Sequence, residues 1–182
     1  MKKSKILIKL TGSIACYKAC YVISHLVQQG HEVYPVVSKS ALEFIGLATL
    51  EGLTRRPVYH DMWERKKALE HIELIRSVDL AIICPATANI INKLAAGIGD
   101  EVVSTLFLAH DFKIPYLIAP AMNMNMFNHP ATQKSLGILK EWGVRILDTD
   151  CGHQACGDIG PGRLMEPLQI VEIINKELKS GV

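Results

Sequence analysis

The sequence predicts an α/β protein built on an open parallel sheet of about five or six strands, with helices on both faces. Three observations predict it. Five short apolar runs rich in β-branched residues recur along the chain, at 5–10, 31–37, 79–84, 114–120 and 144–148. The segments between them carry apolar residues at helical spacing. No internal repeat, low-complexity run or linker divides the 182 residues, so one domain over 1–182 is expected. Strands that alternate with helices pair in parallel, because each crossover helix must bury an apolar stripe against the sheet. The expected fold is a three-layer sandwich of the Rossmann or flavodoxin-like kind.

KILIKL (5–10) is the first strand, followed by the turn TGSIA (11–15) and a helix from about Cys16 to Gln29. Tyr17, Cys20, Tyr21, Ser24, Val27 and Gln28 fall at helical spacing there, and Gly30 sits where a helix-ending glycine belongs. HEVYPVV (31–37) is the second strand, with Ser38 or Ser40 as the N-cap of the SKSALEFI segment. Residues 46–70 are the least legible and read as short helices and loops. The third strand, 79–84, stops at Pro85; a helix is expected over 89–96 and another over 101–109. IPYLIAP (114–120) is the fourth strand, and Pro130 opens the next helix as a good first-turn residue. VRILD (144–148) is the fifth strand, CGHQACGDIGPGR (151–163) a glycine-rich mobile lid, and 167–179 an amphipathic terminal helix.

Composition excludes several functions. The chain is 49% hydrophobic and 21% charged with a formal net charge of +2, and it has no basic run, so a nucleic-acid partner is not expected. The apolar run after Lys2 and Lys3 is about five residues long and broken by Lys9, too short for a signal peptide. No stretch reaches the roughly 18 apolar residues of a membrane span. Five cysteines, three of them inside apolar segments, read as a reduced, cytoplasmic protein.

In parallel sheets of this kind ligands bind beyond the carboxyl ends of the strands. Those ends are TGSIA, VSKSA (37–41), CPATAN (84–89) and APAMN (119–123), mostly small or hydroxyl-bearing residues. A dinucleotide site would show G-x-G-x-x-G after the first strand. Gly12 and Ser13 alone, at a helix N-terminus and with Ser38 and Ser40 nearby, suit a single phosphate and hence a mononucleotide. His71 is a candidate base, because imidazole takes up a proton near neutral pH. Asn123 or Asn125 after the fourth strand can hold a carboxylate through an amide N–H. Cys151 and Cys156 have the spacing of half a zinc site, but no second Cys/His pair accompanies them and no C-x-x-C is present, so no metal is expected. The segment reads as a loop presenting a thiol, with either cysteine as the carrier.

GSIACYKA (12–19), HIEL (71–74), PATAN (85–89), PAMN (120–123), PATQ (130–133) and ACGDIGPGR (155–163) occur in this order over nearly the whole chain. In this the chain resembles the flavin-dependent cysteine decarboxylases, and most closely the phosphopantothenoylcysteine decarboxylases in their free-standing form. The resemblance implies FMN held across a subunit interface of a homo-oligomer, a trimer or a dodecamer, with the pathway synthetase on a separate chain. By position, Gly12, Ser13 and Ile14 would hold the flavin phosphate beside Ser38 and Ser40. Thr87, Ala88, Asn89, Ile90 and Ala121 would line the flavin. His71 would be the base, Asn123 the carboxylate-binding residue, and Cys156 the proton donor, with Met122, Ala155 and Gly157 beside the substrate. Cys151 matches no family role.

The implied activity is decarboxylation of 4′-phosphopantothenoylcysteine to 4′-phosphopantetheine in coenzyme A biosynthesis. Oxidation of the carbon bearing sulfur to a thioaldehyde provides the electron sink that loss of CO₂ requires, and the resulting enethiolate is then reduced. Two other readings are a peptidyl-cysteine decarboxylase acting on a natural-product peptide and a non-catalytic flavin-binding regulatory subunit. Lantibiotic-type peptide decarboxylases lack the ACGD segment, and loss of the histidine or the cysteine would mark the regulatory kind. Both residues are present here.

Overall fold

The computed structural model describes residues 3–61, 70–153 and 157–180, the side chains at 70–72 excepted. Five strands form one parallel sheet: β1 (Lys5–Leu10), β2 (Glu32–Val37), β3 (Leu80–Ala86), β4 (Tyr116–Pro120) and β5 (Arg145–Ile146). Their order, β2-β1-β3-β4-β5, is that of flavodoxin-like doubly wound folds. The chain steps outward in opposite directions from β1 and β3, so the crevice of the fold lies at their carboxyl ends.

Alternation along the strands serves two cores. Ile6, Ile8, Leu10, Leu80, Ile82 and Leu117 face one side, under α1 (Cys16–Gln28), α2 (Leu47–Thr54) and α8 (Pro167–Ser180). Leu7, Ala81, Ile83, Tyr116 and Ile118 face the other, under α3 (Glu70–Arg76), α4 (Ala88–Ala95), α5 (Val102–Leu108) and α7 (Pro130–Glu141). Burial on both faces explains why the strands read as continuous apolar runs.

Several expectations shift in detail. The stripe that packs α1 on the sheet is Cys16, Ala19, Val22, Ile23 and Leu26, whereas Tyr17 and Tyr21 stand more than half exposed. Pro85 does not end β3: the pairing with β4 shifts register between Ile83 and Ala86, and that irregularity accommodates a residue without an N–H. Pro35 is tolerated in β2 because β2 is an edge strand. Ser38, and not Ser40, is the N-cap of a 3-10 turn over Lys39–Glu43, accepting from the Ala41 N–H. Glu101 and Ser104 form a reciprocal capping box at the start of α5. The fifth strand is reduced to two residues, and α6 (Met124–Asn128) occupies the methionine-rich segment before α7.

The largest difference lies in the glycine-rich peptide. Expected as a glycine-rich loop, it pairs on either side of residues 154–156 as antiparallel strands, β6 (Asp150–His153) and β7 (Ile159–Arg163). Gly152 and Gly162 have φ of 152° and 111°, and the ladder shifts register between Asp150 and Gly152. Here glycine permits a twisted, bulged pairing that other residues resist.

Candidate functional site

The carboxyl ends of β1, β3 and β4 open into a cleft of about 520 Å³, lined among others by Gly12, Ser13, Thr87, Ala121, Asn123 and Arg163. Thr11 joins two of these ends. Its Oγ1 donates to the Pro85 carbonyl at 2.8 Å and accepts the Thr87 N–H at 3.1 Å. The loop after β1 is thereby clamped to the start of α4, where Thr87 is the N-cap.

Gly12 lies against the 3-10 turn after β2. A Cβ there would stand 2.7 Å from both Cβ and Oγ of Ser40, so only glycine permits this approach. Ser38 and Ser40 are bonded Oγ to Oγ at 3.0 Å behind Gly12, without themselves lining the cleft, and Ser13, which does line it, caps the turn by accepting the Ala15 N–H at 3.2 Å. Hydroxyls and backbone N–H groups around a glycine that tolerates no side chain fit a phosphate monoester. Above this cradle Ile14 is 60% exposed. The cradle fits the phosphate end of a mononucleotide cofactor.

Along β4 the backbone continues the wall. The Ala121 N–H donates to the Ala86 carbonyl and the Met122 N–H to the Gly162 carbonyl, each at 2.9 Å, so the end of β4 is tied to β3 on one side and to the hairpin on the other. Asn123 is the N-cap of α6, its Oδ1 accepting the Asn125 N–H at 2.8 Å, and its Nδ2 donates to Asp158 at 2.8 Å.

Other expected residues are placed differently. Ala88 and Ile90 are buried on α4, Ile90 within the second core, and Asn89 is exposed. None of the three lines the cleft as Thr87 does. Gly157 is exposed at φ 93° just beyond the hairpin's intervening residues. His71 falls on α3 by its backbone, and its side chain lies outside the described residues, as do Ala155 and Cys156 entirely. Burial pushes the thiols of Cys16, Cys20 and Cys84 upward, so these three stay protonated at neutral pH and are poor nucleophiles. Among the described residues no group of three or more His, Cys, Asp or Glu is placed to hold a metal ion.

The cleft also holds residues that sequence reasoning missed. Phe44 stands at its rim, 49% exposed, with Tyr17 from the outer face of α1. Lys18 and Arg163 bring two cations to the wall; Lys18 pairs with Glu166 at 2.6 Å, and Arg163 stands 3.8 Å from the same carboxylate. A lysine among apolar helix residues and an arginine ending a glycine run were the available signals. Their meeting depends on α1 packing against α8 and the hairpin.

Known proteins share this architecture. The chain is 40% identical over 171 residues to the coenzyme A biosynthesis bifunctional protein CoaBC of Vibrio vulnificus (strain YJ016), covering 93% of this chain and 42% of that one. The chain thus spans about two-fifths of the length of that relative. It is 35% identical to a probable phosphopantothenoylcysteine decarboxylase of Streptococcus mutans serotype c (strain ATCC 700610 / UA159), covering 96% of this chain and 98% of the other. A solved PPC decarboxylase mutant complexed with pantothenoylaminoethenethiol superposes with a TM-score of 0.86 at 31% identity, over 96% of this chain and 98% of that one. The FMN binding protein AtHal3 does so with a TM-score of 0.84 at 31% identity, over 98% of each chain. The flavoprotein family model matches residues 1–179, and the chain belongs to that family.

Proposed function

We propose that the chain, acting as one domain over residues 1–182, decarboxylates 4′-phosphopantothenoylcysteine to 4′-phosphopantetheine in coenzyme A biosynthesis, with FMN as cofactor. The observation that carries this reading is the seating of the β6–β7 hairpin on Asn123, through the 2.8 Å bond to Asp158. It joins the segment that contains Cys156 to the residue suited to a carboxylate, beside the phosphate cradle of Gly12. The FMN-binding AtHal3 and the PPC decarboxylase support the cofactor and the substrate class.

Bound FMN supplies a two-electron oxidation of the carbon bearing sulfur and returns those electrons after CO₂ has left. The chain's own residues bind and move protons. Gly12, Ser13, Ser38 and Ser40 hold the cofactor phosphate, and the Asn123 amide N–H binds the substrate carboxylate. His71 takes the proton that must leave the substrate, and Cys156 gives one to the carbon from which CO₂ departs.

A homo-oligomer, trimeric or dodecameric, completes this reading. Ile14, Tyr17 and Tyr21 support it: they stand 60%, 55% and 59% exposed, the first two at the cleft and Tyr21 one turn further along α1, and a second copy would cover them. The working compartment is the cytoplasm; among the described residues no helix is long and apolar enough to cross a membrane.

The test is incubation of flavin-loaded protein with 4′-phosphopantothenoylcysteine, with products identified by mass. Release of CO₂ with product at the mass of 4′-phosphopantetheine is expected. A folded, yellow protein that turns none over overturns the reading. Cys156→Ser is expected still to release CO₂ but to accumulate a product lighter by two hydrogens. His71→Asn is expected to lose decarboxylation.

A further inference from the structure

Two of the bonds to the Asn123 carboxamide, both to described residues, each act in one direction. Its Oδ1 accepts the Asn125 backbone N–H, and its Nδ2 donates to Oδ2 of Asp158, both at 2.8 Å. A backbone N–H can only donate and an ionised carboxylate can only accept, so the amide cannot turn over without losing both bonds. Asp158 reaches Asn123 across 35 positions of sequence, from the residue just before β7.

That reach is itself fixed. The Met122 N–H holds the Gly162 carbonyl at 2.9 Å, and Gly160 lies so close to the Met124 side chain that a Cβ at 160 would collide with its Sδ. The hairpin is thus seated on the end of β4 and the start of α6, and Asp158 approaches from a defined side. Lys18 and Arg163 line the same cleft as Asn123, with the Glu166 carboxylate beside both.

We propose that Asp158 is the positioning residue of Asn123: its carboxylate holds the carboxamide with Nδ2 toward the hairpin side of the cleft, so that a ligand carboxylate meets a donor there. This rests on the reading of Asn123 as the carboxylate-binding group.

Flavin-loaded wild type, Asp158→Ala and Asp158→Asn are compared in turnover of 4′-phosphopantothenoylcysteine and in inhibition by 4′-phosphopantetheine, which lacks the carboxylate. Asp158→Ala is expected to raise KM for the substrate about tenfold or more, the loss of one hydrogen bond to a charged group. Inhibition by the carboxylate-free product should change less than about twofold on the same scale. Asp158→Asn, whose Oδ1 still accepts, restores most of the loss. Equal weakening of both ligands, an unchanged KM, or tighter substrate binding in Asp158→Ala overturns the proposal.

If the wild type turns over no substrate, the decarboxylase reading fails, and a second measurement still decides the proposal. In nitrogen-15 spectra of the same proteins, the two Asn123 amide protons are expected to be well separated in wild type and Asp158→Asn. They should draw together in Asp158→Ala; identical signals in all three overturn it.

Discussion

Thr11 shows how much one hydroxyl organises here. It is almost wholly buried, and it satisfies both the Pro85 carbonyl and the Thr87 N–H at the point where β1 and β3 diverge. Thr11→Val keeps the shape and leaves the Pro85 carbonyl its bond from the Thr11 N–H at 3.3 Å, but it strands the Thr87 N–H, so it is expected to cost about 1–3 kcal/mol in urea unfolding. Its neighbour Gly12 is constrained from outside by Ser40 rather than by its own φ. Gly12→Val is expected to purify without visible flavin absorbance yet remain folded by circular dichroism. Gly12 and Ser13 were legible because a glycine and a hydroxyl after a strand have a recognisable chemistry. Thr11, Phe44 and Arg163 were not, since a threonine in a strand end or an arginine in a loop means nothing until its partner is known.

Among the elements, the hairpin departs furthest from expectation. Its glycines suggested a loop, but the backbone pairs, bulges and packs against α6 through Gly160. Gly160→Val must push the Met124 side chain aside or lift β7. We expect loss of turnover with flavin content and thermal midpoint close to wild type, read by absorbance and calorimetry. A variant with normal turnover would show that the contact with α6 is dispensable. Helix α1 makes a related point. Apolar residues occur around much of its circumference, so spacing alone located the helix but not the face turned inward.

Acid sensitivity belongs to the molecule as a whole. Lys9 on β1 is fully buried in the second core, bonded to the Tyr116 hydroxyl at 2.5 Å, and burial lowers its pKa to about 7 against the pull of Glu101. The unfolded chain holds that proton up to its ordinary 10.5, so between the two values unfolding takes up a proton. The Lys9 contribution is therefore complete above 10.5 and lost as pH falls toward 7, by up to about 1.4 kcal/mol per pH unit. His110, lowered from 6.5 to about 4 by burial and then by Lys9, adds the same sign in a lower window. Its contribution is present above 6.5 and lost as pH falls toward 4. Urea midpoints that rise with pH between about 7 and 9, and flatten in Lys9→Met, are expected.

The sequence by itself determined the α/β class, the order of the five sheet strands along the chain, the place of Gly12 and Ser13 in the loop after β1, and that of Asn123 beyond the end of β4. Each is carried by local chemistry: β-branched runs, helical spacing, a glycine with a hydroxyl, an amide after a strand. Tertiary structure alone decided the strand order β2-β1-β3-β4-β5, the inward face of α1, the pairing of the glycine-rich peptide and the bond between Asn123 and Asp158. Those features depend on residues far apart in sequence meeting across the cleft, and spacing along a chain carries no record of such meetings.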